Sequence, residues 1–254
     1  MQYALISDVH SNLPALDAVL DDIDRRGITA IYHLGDLVGY SAKPNEVVTR
    51  LIARAIPGVS GNYDSTVAND YKHCGCRSEN ARQEELSHLS YEWTRKHVTP
   101  ATKSFLGALP FRLDLRPLGG HVAGPTITLV HATPANNLVY VTEDRPDAFL
   151  SKMAQQAQLK AGDAICFGHT HKPWMRTVDG VTFINTGSVG RPKDGDWRAG
   201  YVLLSALENR IIAEIVRVEY AVALAAREVV EAGLPGEFAD FLRSGGQVSN
   251  TQTA

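Results

Sequence analysis

Two histidines separated by one residue, in Gly168-His169-Thr170-His171, follow the apolar run Ala164-Ile165-Cys166-Phe167. The run reads as a buried strand. In extended backbone, residues i and i+2 point the same way, so both imidazoles can reach one centre. Gly168 allows the sharp turn that would present them. Imidazole is a common metal ligand, yet a histidine pair in a loop is more often simply solvated. The pair acquires meaning from what ends the other strands.

Four further runs that read as strands also end in metal-ligating residue types. The run at 2–7 leads to Asp8 and His10, that at 28–34 to Asp36, that at 55–60 to Asn62, and that at 126–130 to His131. Singly, each has an ordinary reading. An Asp after a strand is usually a turn former, Asn62 after a glycine is a turn residue, and His131 is a satisfied core histidine. Five coincidences at five strand ends outweigh those readings. In open α/β sheets, ligands bind beyond the carboxyl ends of the strands, which places all seven groups on one rim. Asp8, His10, Asp36 and His171 can then hold one divalent cation, and Asp36, Asn62, His131 and His169 a second. Asp36 bridges, because a carboxylate offers two oxygens. Cations ~3.5–4 Å apart clamp a phosphate and generate hydroxide at neutral pH. The donor set is too rich in nitrogen for a dedicated magnesium or calcium site. It suits manganese, iron, zinc, cobalt or nickel.

The elements that must position these groups follow from periodicity. Apolar Leu13, Leu16, Leu20 and Ile23 recur at helical steps over 13–26, with Asn12 as N-cap, Pro14 in the first turn and Gly27 at the exit. With the strands at 2–7 and 28–34 this makes a β-α-β unit. A second helix is expected at 44–54. Residues 65–82 read as a polar, irregular cover. Helices follow from residue 78 or 79 to 97 and over 100–109, the latter capped by Thr99. Strands are expected at 111–116, 126–130 and 163–167, with a helix at 144–160. Asp179-Gly180 between apolar runs predicts a type I′ hairpin of 174–178 with 181–184. A further hairpin pairs 201–206 with 211–218 across Glu208-Asn209-Arg210. Helices at 221–231 and 236–243 close the chain, and 245–254 reads as a disordered tail. The expectation is one α/β domain over 1–244, with two sheets packed between helix layers.

Composition is that of a globular protein with a sizeable core: 254 residues, 44% hydrophobic and 21% charged. A net charge of -3 argues against a basic surface for nucleic acid. No stretch approaches the ~20 apolar residues of a membrane span, and no signal peptide precedes the first strand. Cys74 and Cys76 are too close in sequence to bridge easily, and Cys166 sits in a strand. That usage fits a reducing cytoplasm without a disulfide framework.

Asp8-x-His10, Gly35-Asp36, Gly61-Asn62-x-Asp64, His131 and Gly168-His169-Thr170-His171 together resemble the motif series of the calcineurin-like metallophosphoesterases. The likeness runs in the family's order from residue 1 to 198. The stretches 34–40 and 186–192 further resemble its compact bacterial and archaeal subgroup, often labelled phosphodiesterase or diadenosine tetraphosphatase-like. The resemblance implies a four-layer α-β-β-α sandwich with two mixed β-sheets. It also implies a dinuclear site, with Asp36 and Asn62 acting through the metals, and in-line attack on phosphorus by a metal-bridging hydroxide. One position departs. Many members carry histidine after the Gly-Asn pair, where it stabilises the transition state or protonates the leaving group; this chain has Tyr63, whose pKa near ~10 makes it a poor proton shuttle at neutral pH. The general acid is left unassigned, and Asp64 reads as a supporting residue.

Asn12 at a helix start facing the site, Tyr63 and Arg191 are the candidates for substrate contact, Arg191 being equally readable as a surface salt bridge. His33 reads as structural, and His73, Cys74 and Cys76 as loop residues. The chain lacks a Gly-x-x-x-x-Gly-Lys-Ser/Thr phosphate loop and a Gly-x-Ser-x-Gly elbow. The expected function is hydrolysis of a phosphodiester or phosphomonoester, such as a nucleotide, by a cytoplasmic enzyme that acts on a small substrate; a homo-oligomer is what the subgroup resemblance implies. Two other readings stand beside it: a non-catalytic metal- or nucleotide-binding module that kept the ligands, and a metal-dependent redox enzyme.

Overall fold

The computed structural model describes residues 1–76, 80–116, 124–207 and 210–247. The chain opens with β1 (Gln2–Ile6), α1 (Leu13–Arg25) and β2 (Ile31–His33), followed by α2 (Pro44–Ala53), α3 (Asn62–Ala68), α4 (Ala81–His97) and α5 (Pro100–Gly107). Then come β3 (Arg112–Leu115), β4 (Ile127–Val130), α6 (Asp147–Ala157), β5 (Ala164–Phe167), β6 (Trp174–Val178) and β7 (Val181–Asn185). The last elements are β8 (Ala199–Leu207), β9 (Arg210–Val218), α7 (Val222–Glu231) and α8 (Gly236–Ser244).

Four strands form one sheet in the order β2-β1-β8-β9, and five form another in the order β3-β4-β5-β7-β6. Both are mixed. β1 runs parallel to β2 and antiparallel to β8. β4, β5 and β7 run parallel, with antiparallel β3 and β6 at the edges.

Alternation along the strands sorts side chains into three cores, and three cores between layers make four layers. From β1, Ala4 and Ile6 join Leu16, Leu20, Val47, Leu51, Tyr91 and Phe238 beneath the helices. Tyr3 and Leu5, on the opposite face, meet Leu129, Cys166, Ile184 and Val202 between the two sheets. On β5, Cys166 faces that middle core while Ile165 and Phe167 pack with Leu150 and Met153 of α6. The central strands are therefore buried on both faces, which is why they read as continuous apolar runs. The result is the α-β-β-α sandwich with two mixed sheets.

Several boundaries differ from the periodicity. The strand expected at 55–60 is reduced to a single bridge between His33 and Gly58. Pro57 has no N–H to continue a ladder, and Ala55 sits at φ 49°. β2 spans only Ile31–His33 of the expected 28–34. Asn62, expected in a turn, begins α3, which runs to Ala68, so the expected irregular cover opens as helix. The start of α4 at residue 78 or 79 lies outside the described residues; its observed N-cap is Asn80, whose side chain accepts from Gln83 N–H at 2.9 Å. α6 starts at Asp147 because Pro146 precedes it. The β6–β7 hairpin has Asp179 and Gly180 at φ 50° and 77°, the left-handed pair that a type I′ turn requires. The turn between β8 and β9 and the tail from 248 lie outside the described residues. Gly245, expected in a disordered tail, is tied down by an N–H from Gly195 at 2.9 Å.

The cysteine expectation also changes. Cys74 and Cys76 are joined by a disulfide, because Gly75 at φ 72° folds the tripeptide until the two Cα atoms stand 5.3 Å apart, within ordinary disulfide reach. Cys166 is free and buried. No helix among the described residues is long and apolar enough to cross a membrane.

His33 is fully buried, and neither ring nitrogen has a hydrogen-bond partner. Burial pushes its pKa from 6.5 down to about 3. A histidine depressed in the fold keeps its contribution above the unfolded-state pKa and loses it as pH falls through the folded value. Denaturant unfolding of the metal-free protein should therefore show a loss between pH 6.5 and about 3 that His33→Leu lacks, roughly 3–5 kcal/mol at ~1.4 per unit. Parallel pH curves for the two proteins would show that His33 is protonated without penalty.

Candidate metal centre

Five segments at the carboxyl rim of the two sheets bring the candidate ligands together. Asp8 and His10 follow β1, Asp36 follows β2, His131 follows β4, His169 and His171 follow β5, and Asn62 opens α3. Five of these seven adopt left-handed backbone: Asp8 at φ 52°, His10 at 47°, Asp36 at 52°, His169 at 65° and His171 at 61°. That conformation costs an L-residue about 1–2 kcal/mol, and Asp, Asn and His tolerate it best among non-glycine residues. It turns each strand end sharply enough to aim the side chain along the rim. All seven are at least 96% buried, since none exceeds 4% exposure.

The side chains gather into two groups. Asp8, His10 and His171 form one, and Asp36, His131 and His169 the other, each with its ligand atoms within 4.8 Å of one another. In the first, His171 Nε2 is 3.1 Å from both Asp8 Oδ1 and His10 Nε2. In the second, His131 Nε2 is 3.1 Å from both Asn62 Oδ1 and His169 Nδ1. Asp36 Oδ2 stands between the groups, 3.7 Å from His10 Nε2 and 3.6 Å from His131 Nε2. His169 and His171 thus fall into different groups, although both follow one strand.

Carbonyl partners fix the protonation of three rings. His10 Nδ1 lies 3.0 Å from Val38 O, His131 Nδ1 2.8 Å from Leu34 O, and His171 Nδ1 2.7 Å from Arg191 O. A carbonyl only accepts, so each Nδ1 carries the proton and each neutral ring presents a lone pair at Nε2. The lone pairs of His10 and His171 therefore face each other at 3.1 Å with no proton between them. Asp8 Oδ1 and His169 Nε2 are buried without a hydrogen-bond partner. Facing lone pairs and an orphaned carboxylate oxygen need a cation, and a mixed N/O set is what a divalent transition metal takes. The donor set fits two such ions.

Electrostatics agree. Burial and the neighbouring His171 hold His10 well below the usual histidine range, and burial with His131 does the same for His169. Burial and Lys193 bring His171 down to about 4 against the pull of Asp8. Burial opposes ionisation of Asp8, but the adjoining histidines outweigh it and leave Asp8 below the carboxylate range. Burial raises Asp36 to about 8, helped by the charges of Asp8 and Asp64 and opposed by His131. His131 is shifted upward: burial lowers it, but the carboxylates of Asp36 and Asp8 prevail.

Residues that the sequence reading passed over hold the ligands in place. Ser7 Oγ donates to Asp8 Oδ2 at 2.6 Å and Ser188 Oγ to the Asp8 carbonyl at 2.7 Å. Asn185 Nδ2 donates to Gly168 O and Thr170 Oγ1, both at 2.9 Å, and so fixes the loop that bears both histidines. Tyr140 lies against the His169 ring at 4.3 Å between centroids. Asn185 could have been found by the same strand-end rule that found His131. Asp64 accepts from Leu37 N–H at 2.8 Å and Gly61 N–H at 3.0 Å, clamping the Asp36 and Asn62 loops together.

Two of the residues read as substrate contacts have other work. Asn12 caps α1 by accepting from Ala15 N–H, and its amide donates to Gly190 O and the Tyr220 hydroxyl. Tyr63 is fully buried, with its hydroxyl donating to Ser90 Oγ at 3.1 Å. Burial and neighbouring Tyr40 raise its pKa well above 10. Its contribution to the centre is its backbone N–H, which donates to Asp36 Oδ1 at 2.9 Å. Arg191 has no carboxylate partner among the described residues, which removes the salt-bridge reading.

The fold and the paired groups define a metallophosphoesterase, and residues 1–209 match the calcineurin-like phosphoesterase superfamily domain. The chain belongs to that superfamily. Among its relatives, an uncharacterised protein of Methanocaldococcus jannaschii is 32% identical over 253 residues, covering 91% of this chain and 93% of its own. The phosphodiesterase YfcE of Escherichia coli strain K12 is 24% identical over 225 residues, covering 85% of this chain and 91% of its own. A metallophosphoesterase from Sphaerobacter thermophilus of known structure superposes with a TM-score of 0.74 at 27% identity, covering 96% of this chain and 99% of its own.

A Cβ on Gly168 would fall inside the van der Waals radii of Ser7 Oγ and Asp8 Oδ2. Gly168→Ala should keep the far-ultraviolet dichroism of the fold yet weaken divalent metal binding about tenfold or more by calorimetric titration; unaltered affinity would show that Asp8 can shift without loss. Because Asp36 is pushed up to about 8, a metal ion must displace its proton at neutral pH. Affinity should therefore rise between pH 6 and 8, with proton uptake by the buffer. An affinity flat over that window would contradict it.

Proposed function

We propose that this chain hydrolyses phosphodiester or phosphomonoester bonds of a small substrate, a nucleotide among them, using two divalent transition metal ions. The observation that carries the reading is the place of Asp36. Its Oδ2 is almost equidistant from His10 and His131, one ring from each group, as a bridging ligand must be. When bound, the two cations supply a nucleophilic hydroxide at neutral pH and positive charge for the phosphoryl oxygens. Manganese, iron, zinc, cobalt and nickel all suit the donors. The names of YfcE and of the Sphaerobacter protein support the reaction class.

The residues of the chain prepare the site in three ways. Val38, Leu34 and Arg191 carbonyls hold three imidazoles in the tautomer that turns Nε2 inward. The Tyr63 N–H pins Asp36 Oδ1, which leaves Oδ2 for the bridge. Asn62 Oδ1 and its neighbours exclude bulk water from the second group. Arg191 is the substrate-contact candidate whose donors remain available. Tyr63 holds its hydroxyl proton tightly and faces α4, so leaving-group protonation falls to water or to the substrate itself. Esters with acidic leaving groups should be turned over best.

The test is to strip the protein of metal, restore manganese, and assay nitrophenyl phosphate and bis-nitrophenyl phosphate. Hydrolysis of at least one is expected, together with loss of turnover by about 10³-fold or more and lower metal content in Asp36→Asn. Stoichiometric metal binding without hydrolysis of either ester would instead favour a non-catalytic binding module.

A further inference from the structure

Arg191 follows the glycine-rich loop after β7, and its main chain is held at both ends. Its N–H donates to Ser188 Oγ at 2.8 Å and its carbonyl accepts from His171 at 2.7 Å. The guanidinium lies between two aromatic rings, 4.0 Å from the centroid of Tyr40 and 3.7 Å from that of Phe241. Among the described residues no carboxylate pairs with it and no acceptor meets its N–H groups. Aromatic rings cover the faces of a guanidinium and leave its edge of five donors open. A planar fork held in this way is shaped for bidentate recognition of an oxyanion. Burial also lowers its pKa from that of free arginine, as it does for a guanidinium taken out of water with no carboxylate of the described residues beside it. The charge is adjacent to the centre, because Tyr40 packs edge-on against His10 at 5.0 Å between centroids.

What holds the fork is α8. Phe241 forms one wall, and Phe238 meets the opposite wall, Tyr40, edge-on at 5.6 Å. The end of the helix is packed onto the segment that carries Arg191. Gly195 N–H donates to Gly245 O at 2.9 Å, and a Cβ on Gly246 would come within 2.8 Å of Lys193 Cα and 2.9 Å of Pro192 O. An ion pair between Glu237 and Arg82 of α4 ties down its first turn. α8 lies beyond residues 1–209, the part that matches the superfamily domain. The wall therefore lies outside the matched segment, and its aromatic residues meet a cation beside the metal-binding rim.

We propose that α8 makes Arg191 a second anion subsite beside the metal centre, taking an anionic group that the substrate carries beyond the phosphate being cleaved. The substrate class is a phosphate ester with a further phosphoryl or carboxylate group, such as a pyrophosphate-linked compound. This rests on the hydrolytic reading for its biological meaning, but the subsite itself is a matter of binding. Arg191 would contact the ligand; Tyr40 and Phe241 are positioning residues.

Binding of phosphate, pyrophosphate and phosphonoacetate to the manganese-loaded protein, measured by calorimetry with manganese in fixed excess, tests the assignment without needing turnover. Arg191→Met should weaken pyrophosphate roughly 10-fold to 100-fold, the range for a charged hydrogen bond, and phosphate less than about threefold. Phe241→Ala should shift the pyrophosphate-to-phosphate ratio in the same direction by less, and Phe241→Tyr should restore it. Arg243→Met, an exposed change on the same helix, should move neither constant. A loss for phosphonoacetate as well supports a subsite for either anion; a loss for pyrophosphate alone supports a phosphoryl subsite. Equal weakening of phosphate and pyrophosphate, or weakening of neither, would overturn the proposal. An inert protein that still discriminates would refute hydrolysis and keep the subsite, whereas an active protein without discrimination would refute the subsite alone.

Discussion

Imidazole lone pairs and carboxylate oxygens that face one another out of water set the terms for the rest of this molecule. The Nε2 atoms of His10 and His171 meet at 3.1 Å, and neither ring has a proton to offer the other because both Nδ1 protons are committed to carbonyls. Asp8 Oδ1 lies 3.1 Å from the same His171 nitrogen and has no hydrogen-bond donor. Burying polar atoms without partners costs roughly 1–3 kcal/mol each. A fold that accepts that cost at several adjacent atoms is arranged for a cation. The alternative, in which the histidines take up protons and pair with the aspartates, is opposed by the same burial that lowers His10, His169 and His171.

Holding such a cluster requires backbone that the sheets would not adopt on their own. Asp8, His10, Asp36, His169 and His171 all turn left-handed immediately beyond strand ends. The strain is distributed over a ladder that continues past the strands. Asp8 N–H bonds Gly35 O, His10 N–H bonds Asp36 O, and Gly168 N–H bonds His131 O, at 3.0, 3.0 and 2.9 Å. Close packing of glycines lets these loops touch. Gly35 lies against the Gly61 backbone, and Gly61 against Asp36, so closely that neither position has room for a side chain. Strain of this kind persists only where the surroundings over-determine it, and here each strained loop is bonded to another.

Much of this was legible in the sequence because strand ends and metal chemistry are both local signals. Residues Asp8, His10, Asp36, Asn62, His131, His169 and His171 were found by type and by position after apolar runs, and the structure brings all seven to one rim. The hairpin at Asp179-Gly180 was legible from turn chemistry. Other features depended on contacts between distant parts of the chain. Asn12 was legible as the cap of α1, but its bonds to Gly190 and Tyr220 span up to 208 residues, and Tyr63 turns its hydroxyl to Ser90 of a later helix. The strand expected at 55–60 failed because Pro57 cannot extend a ladder that periodicity alone allowed. The Cys74–Cys76 bond ran against expectation because sequence separation is a poor guide where a glycine folds the backbone back.

Each group of ligands draws on both sheets. Asp8 and His10 leave β1 of the four-stranded sheet and meet His171 from β5 of the five-stranded one. Asp36 leaves β2 of the first sheet and meets His131 and His169 from β4 and β5 of the second. A cation in either group therefore joins the two sheets across the rim, where the apolar middle core of Leu5, Leu129 and Cys166 has ended. Since binding to the folded form alone stabilises it by mass action, a cation held in either group would add to the stability of the packed sheets. The same coupling explains why Asp64, Ser7 and Asn185 brace loops rather than touch the centre: separate sheets can present ligands at fixed distances only if the loops between them are as rigid as the strands.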